Sequence, residues 1–109
     1  MSEDTPQWVV TVTNPSIAPR DYTLKVGKNL VGRSAGSDVF VDDASASRLH
    51  AEICWDPLQN SVTLFDLDST NGTFVNQDRL TAARELSPGD IIRIGECLLT
   101  VNLQCRLIT

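Results

Sequence analysis

The sequence predicts an all-β fold, a two-sheet antiparallel β-sandwich of about 10–11 short strands with its functional loops gathered at one end. Three observations predict it. Apolar residues alternate with polar ones at a period of two, which turns one strand face to a core and the other to water. Such segments recur about every ten residues, the spacing of short strands joined by turns. Between them lie clusters of Gly, Pro, Asn, Asp and Ser, and no segment holds a helical period over a helix-forming length.

In chain order, Trp8, Val10 and Val12 alternate with Thr11 and Thr13. Tyr22, Leu24 and Val26 alternate with Thr23 and Lys25, and Asn29-Leu30-Val31 forms a short strand that ends at Gly32. Leu49, Ala51, Ile53 and Trp55 share one face, with His50, Glu52 and Cys54 on the other. Val62 to Leu67 is apolar on both faces, as expected of a central strand. Ile92 and Ile94, then Leu99, Val101 and Leu103, complete the set. The turns fall at Asn14-Pro15, Gly27 to Asn29, Ser34 to Asp38, Asp56-Pro57, Asp68 to Gly72 and Ser87 to Asp90. Leu80 to Leu86 is too short to stand as a helix and reads as a loop or short strand. Residues 1–6 read as a loose tail and 7–105 as one domain. Residues 106–109 read as a C-terminal end at which a longer protein could have been cut.

At 109 residues the chain has the size of one domain with one core. No apolar run exceeds four residues, far short of a membrane span, so no membrane association is expected. The start, Met1-Ser2-Glu3-Asp4, is acidic where a secretion signal is basic, and a cytoplasmic chain is the default expectation. The three cysteines, Cys54, Cys97 and Cys105, lack a C-x-x-C pair and read as small core hydrophobes in a reducing compartment. Net charge is −5, with no basic stripe of the kind that binds nucleic acid. An anion would therefore have to be held by a few focused cations against the overall field.

Three polar loops carry residues suited to that task. They are Gly32-Arg33-Ser34, Ser45-Ala46-Ser47-Arg48-Leu49-His50, and Asp66 to Asn76 with Ser69-Thr70-Asn71-Gly72-Thr73 at its centre. Loops on a rigid sandwich are where binding residues tend to sit. The guanidinium of Arg33 is a planar fork able to hold two phosphate oxygens at once, and the preceding glycine suggests a sharp bend of the chain. The Ser47 hydroxyl can donate one hydrogen bond to an anion, with the Arg48 cation beside it. Asn71 has both a donor and an acceptor, fit to pair with a peptide backbone, and the Asn71-Gly72 step supplies a positive-φ turn.

The three motifs together, G-R at Gly32-Arg33, S-x-x-H at Ser47 to His50 and N-G-T-x-V-N at Asn71 to Asn76, resemble the forkhead-associated domain family. The resemblance runs from about Val9 to Val101 and includes the Gly89 to Gly95 turn and strand. It implies a non-catalytic module that recognises phosphothreonine in a partner protein or peptide. It also implies that Arg33, Ser47 and Arg48 meet the phosphate, and that Thr70 and Asn71 meet the peptide. His50, Gly32, Gly72, Thr73 and Asn76 are then loop architecture, with His50 bracing the loops by hydrogen bonds. Threonine is expected over serine, its methyl group filling a small apolar notch. An isolated domain of this kind is expected to be monomeric, and such domains usually belong to longer signalling proteins.

Other chemistries lack their parts. A Ser-His-Asp triad needs a nucleophile elbow, and no G-x-S-x-G occurs. Asp66, Asp68 and Thr70 alternate like the start of a calcium loop, but glycine falls at the seventh position and Gln77 stands where the bidentate glutamate belongs. No metal and no cofactor is expected. The competing reading is a phosphate-independent interaction scaffold of the same fold.

Overall fold

The computed structural model describes residues 5–106. Eleven strands run in chain order: β1 (Thr5–Asn14), β2 (Ile17–Thr23), β3 (Gly27–Gly32), β4 (Val39–Phe40), β5 (Ala51–Asp56), β6 (Ser61–Asp66), β7 (Phe74–Val75), β8 (Asp78–Arg79), β9 (Arg84–Glu85), β10 (Ile91–Ile94) and β11 (Cys97–Arg106). They form a six-stranded sheet in the order β2-β1-β11-β10-β7-β8 and a five-stranded sheet in the order β4-β3-β5-β6-β9. Every pairing is antiparallel but one: β4 runs parallel to β3, with Val31 opposite Val39. Among the described residues there is no helix, and so none long and apolar enough to cross a membrane.

The predicted alternation builds the core. Val10, Val12, Ile92, Ile94, Leu99 and Val101 of one sheet face Val31, Ile53, Val62 and Leu64 of the other, all at most 2% exposed. Each such side chain contributes about 1.5–3 kcal/mol by leaving water. Asn29 is a buried polar residue with its hydrogen bonds made: it accepts from the Lys25 amide and donates to the carbonyls of Lys25, Gly27 and Ile53. That side chain fixes the tight approach to β3.

Several expectations are corrected. Thr5 and Pro6 belong to β1, opposite Arg106 and Cys105, rather than to a tail; residues 1–4 and 107–109 lie outside the described ones, as does the Cys105 side chain. Val26 does not extend the Tyr22–Leu24 alternation: β2 ends at Thr23, and Val26 stands exposed in the turn before β3. Leu49 and His50 exchange the places that alternation gave them, since Leu49 is exposed and His50 fully buried. β5 begins only at Ala51, and the chain before it follows loop geometry rather than strand geometry. β6 is paired on both sides as expected, but Phe65 and Leu67 lie at the surface, so its second face is not a core face. Leu103 is likewise half-exposed near the end of β11. Cys97 is a buried thiol, which burial holds above its ordinary pKa, while Cys54 is half-buried.

Candidate functional site: three loops at one end of the sandwich

The three loops singled out by composition meet at one end. Arg33 follows β3, and its amide donates to Ser47 O at 3.0 Å while the Ser34 amide donates to Arg48 O at 3.2 Å. These bonds lay the first loop against the second like one more strand pair. Gly32 makes the approach possible, though not by a bend. An added Cβ would collide with the Arg48 carbonyl oxygen and come within 2.8 Å of its carbon. The requirement is space.

Arg33 Nε donates to Ala46 O at 3.0 Å. That anchor uses one of the five guanidinium N–H groups and leaves the Nη groups free on an exposed side chain. Ser47 is oriented from the third loop. The Thr70 amide donates to Ser47 Oγ at 3.1 Å, so the hydroxyl proton remains available to an incoming acceptor. Asn71 Nδ2 donates to Ser45 O at 2.8 Å, a second tie between the loops. Part of the amide expected to meet a peptide is thus spent on loop architecture, and its Oδ1 remains an acceptor. The Arg48 side chain is exposed beside Ser47, with no ion-pair partner among the described residues.

His50 sits beneath this junction. Its Nδ1 accepts from the Ser47 amide at 2.9 Å, and its Nε2 lies 3.0 Å from Gly72 O. An amide can only donate and a carbonyl can only accept, so the ring is the neutral tautomer protonated on Nε2. One buried side chain thereby spaces the second loop from the third. Both ring nitrogens are engaged with backbone groups, and neither is left to act as a general base.

The third loop is braced by a residue that composition flagged only as a possible calcium ligand. Asp66 accepts from the Ser69 amide at 3.1 Å, from Ser69 Oγ at 2.6 Å and from the buried Thr73 Oγ1 at 2.7 Å. Ser69 Oγ in turn accepts from the Gly72 amide at 3.1 Å. Burial pushes the Asp66 carboxyl up, but the hydrogen bonds from Ser69 and Thr73 outweigh it and hold the group below its ordinary pKa. Asp43 does the same for the second loop. It accepts from Ser45 Oγ, the Ser45 amide and the Glu96 amide, and these bonds lower its pKa, the Ser45 hydroxyl most. The Glu96 bond docks the β10–β11 turn against the site. The readable signal for both residues is an aspartate two or three residues before a serine, the pattern of side chains that cap their own turn. Asn76, at φ 47° in the two-residue β7–β8 turn, accepts from the Ile91 amide and donates to Asp90. It ties that hairpin to β10.

The result is a largely exposed surface where three loops meet, bearing Arg33, the half-buried Ser47 hydroxyl, Arg48 and the edge of the Thr70–Asn71 loop. Among the described residues no group of His, Cys, Asp and Glu is arranged to hold a metal ion.

The FHA domain family model matches residues 29–95, a span that contains all three loops. The chain belongs to the FHA domain family. This FHA domain is 38% identical over 84 residues to the FHA domain-containing protein FhaA of Mycobacterium tuberculosis, aligning 77% of the chain with 15% of that protein. It is 40% identical over 88 residues to the glycogen accumulation regulator GarA of the same organism, 81% of the chain matching 52% of that protein. The chain therefore spans about half of the length of GarA and a smaller part of FhaA. Among solved structures, it superimposes with a TM-score of 0.75 and 36% identity on an FHA domain from work on phosphothreonine-dependent FHA domain interactions, covering 86% of this chain and 95% of that one.

Proposed function

We propose that this FHA domain binds a phosphothreonine side chain of another protein at the junction of the first two loops, acting by recognition rather than by turnover. The supporting observation is that the Arg33 guanidinium and the Ser47 hydroxyl lie on adjoining loops, each anchored by one hydrogen bond that leaves its other donors unused. The phosphate carries about −1.5 to −2 charges and three acceptor oxygens. Arg33 meets them with paired N–H groups, Ser47 with its hydroxyl proton, and Arg48 with a nearby charge. Because the donors are held by the backbone of neighbouring loops, little reorganisation accompanies binding. Thr70 and the free Oδ1 of Asn71 border the path of the extended segment on either side of the phosphothreonine. Free thiols at Cys54 and Cys97 fit a reducing, cytoplasmic setting.

Fluorescence titration with matched peptides bearing phosphothreonine, phosphoserine or unmodified threonine tests the reading. The phosphothreonine peptide should bind in a modest, reversible range, the phosphoserine peptide about five-fold or more weakly for want of the methyl contact, and the plain peptide not at all. Arg33→Ala should abolish binding with the fold intact. Equal binding of plain and phosphorylated peptides would instead identify a phosphate-independent scaffold.

A further inference from the structure

The outer face of the six-stranded sheet carries a row of side chains that the phosphate pocket does not use. Arg79 of β8, Phe74 of β7 and Arg93 of β10 stand directly opposite one another across three adjacent strands. Their chain neighbours Val75 and Ile92 are buried, so the row faces outward. Both guanidinium groups are laid on the ring, Arg93 at 4.2 Å from its centroid and Arg79 at 5.8 Å. The ring's negative face favours each cation and holds it in place.

Two cations in one cross-strand row, with a single ring between them, repel each other. Neither has a carboxylate within ion-pair reach among the described residues, where the ion pairs are Lys25–Asp38 and Arg84–Asp78. The chain has 14 acidic residues against 9 basic ones, so counter-charges were available and were not placed here. The row also adjoins the pocket. The Arg79 guanidinium covers Gly72, where an added Cβ would lie 3.2 Å from its Cζ. Gly72 is two residues past Thr70, whose amide holds Ser47 Oγ, and two chain steps span at most about 7–8 Å. An extended peptide advances about 3.3 Å per residue, so a side chain about two to four residues from the phosphothreonine would come within reach of Arg79 at the near end of the row.

We propose that Arg79 and Arg93, braced on Phe74, form a second anion subsite that takes a carboxylate or a second phosphate on the same segment that fills the first pocket. This subsite rests on the phosphothreonine reading above and adds a charge preference to it. Arg93 Nη1 is already fixed by donation to Gly95 O at 3.2 Å, which leaves its other N–H groups for the ligand.

Fluorescence anisotropy with the whole chain tests it. The peptides carry one phosphothreonine in a neutral background, with a single glutamate or a single phosphoserine moved through about four positions on each side. At one or two positions glutamate should tighten binding about two- to five-fold and phosphoserine more, with the gain shrinking as salt rises. In Arg79→Gln and Arg93→Gln the ratio of acidic to neutral affinity should fall to near one. A gain with only one of the two anions still supports the subsite and identifies its source. The subsite is overturned if the neutral phosphopeptide binds and no acidic position alters its affinity, or if the gain survives both substitutions; the phosphothreonine reading stands in either case. Failure of every phosphopeptide to bind overturns both. The scan on the unaltered chain needs no variant to fold.

Discussion

Replacing Gly32 with alanine should damage stability and binding together, because one methyl group would separate the two loops that carry Arg33 and Ser47. The added carbon collides with the Arg48 carbonyl oxygen and lies 3.0 Å from Ser47 O, both backbone atoms with little freedom to give way. Overpacking of this kind costs about 1–3 kcal/mol. The displaced loop would also strain or lose the bonds from the Arg33 and Ser34 amides, each contributing about 1 kcal/mol. A total near 2–4 kcal/mol corresponds to a fall in Tm of about 10–25 °C for a domain of this size. Measured at a temperature where the variant is folded, phosphothreonine-peptide affinity should drop about ten-fold or more, since Arg33 loses its register with Ser47. Gly36→Ala is the matched control: nothing lies within 4 Å of its added Cβ, and neither quantity should move appreciably. Calorimetry and anisotropy on the two variants decide it. A Gly32→Ala protein with wild-type Tm and wild-type affinity would refute the claim that the spacing of these loops builds the pocket.

Three further outcomes follow from the same geometry. His50→Ala leaves the Ser47 amide and the Gly72 carbonyl without their partner and opens a buried void, so urea denaturation should show a loss of about 3–5 kcal/mol; a loss below about 1 kcal/mol would contradict the bracing role. Ser47→Ala removes a hydroxyl that is only partly buried, so peptide affinity should fall about ten-fold while stability, read by the same melt, changes by no more than about 1 kcal/mol. Asp38, Asp43 and Asp66 all have folded pKa values below their ordinary 3.8. A depressed folded pKa contributes stability that is present above the unfolded value and lost as pH falls through the folded one. Stability should therefore hold down to about pH 4 and decline below it, and substituting Asp66 with asparagine should flatten that decline.

The core and the three loops that meet at one end were legible because their signals are local. Period-two alternation located β1, β5, β10 and β11, and the three loop motifs marked Arg33, Ser47, His50 and Asn71 before any coordinates. Legibility ended where a residue's surroundings come from distant segments. Gly32 resembles a bending residue, yet it is needed for the close passage of residues 47–48. Leu49 and His50 obey strand alternation on paper, but the chain there is still a loop, and the ring turns inward to one amide and one carbonyl partner. Phe65 and Leu67 read as core because apolar content alone cannot say whether a second layer covers a face. The Arg79–Phe74–Arg93 row depends on the pairing of β7 with both β8 and β10, and β10 lies well downstream in the chain.

The most direct measurement is a two-dimensional ¹H–¹⁵N NMR titration of the chain with a phosphothreonine peptide and with its unphosphorylated twin. Amides of Arg33, Ser47, Arg48, Thr70 and Asn71 should shift together and saturate at one affinity with the phosphorylated peptide only, while the Pro57–Asn60 turn stays still. Shifts centred away from these three loops, or the same shifts with the plain peptide, would contradict the shared phosphate pocket on which the whole account depends.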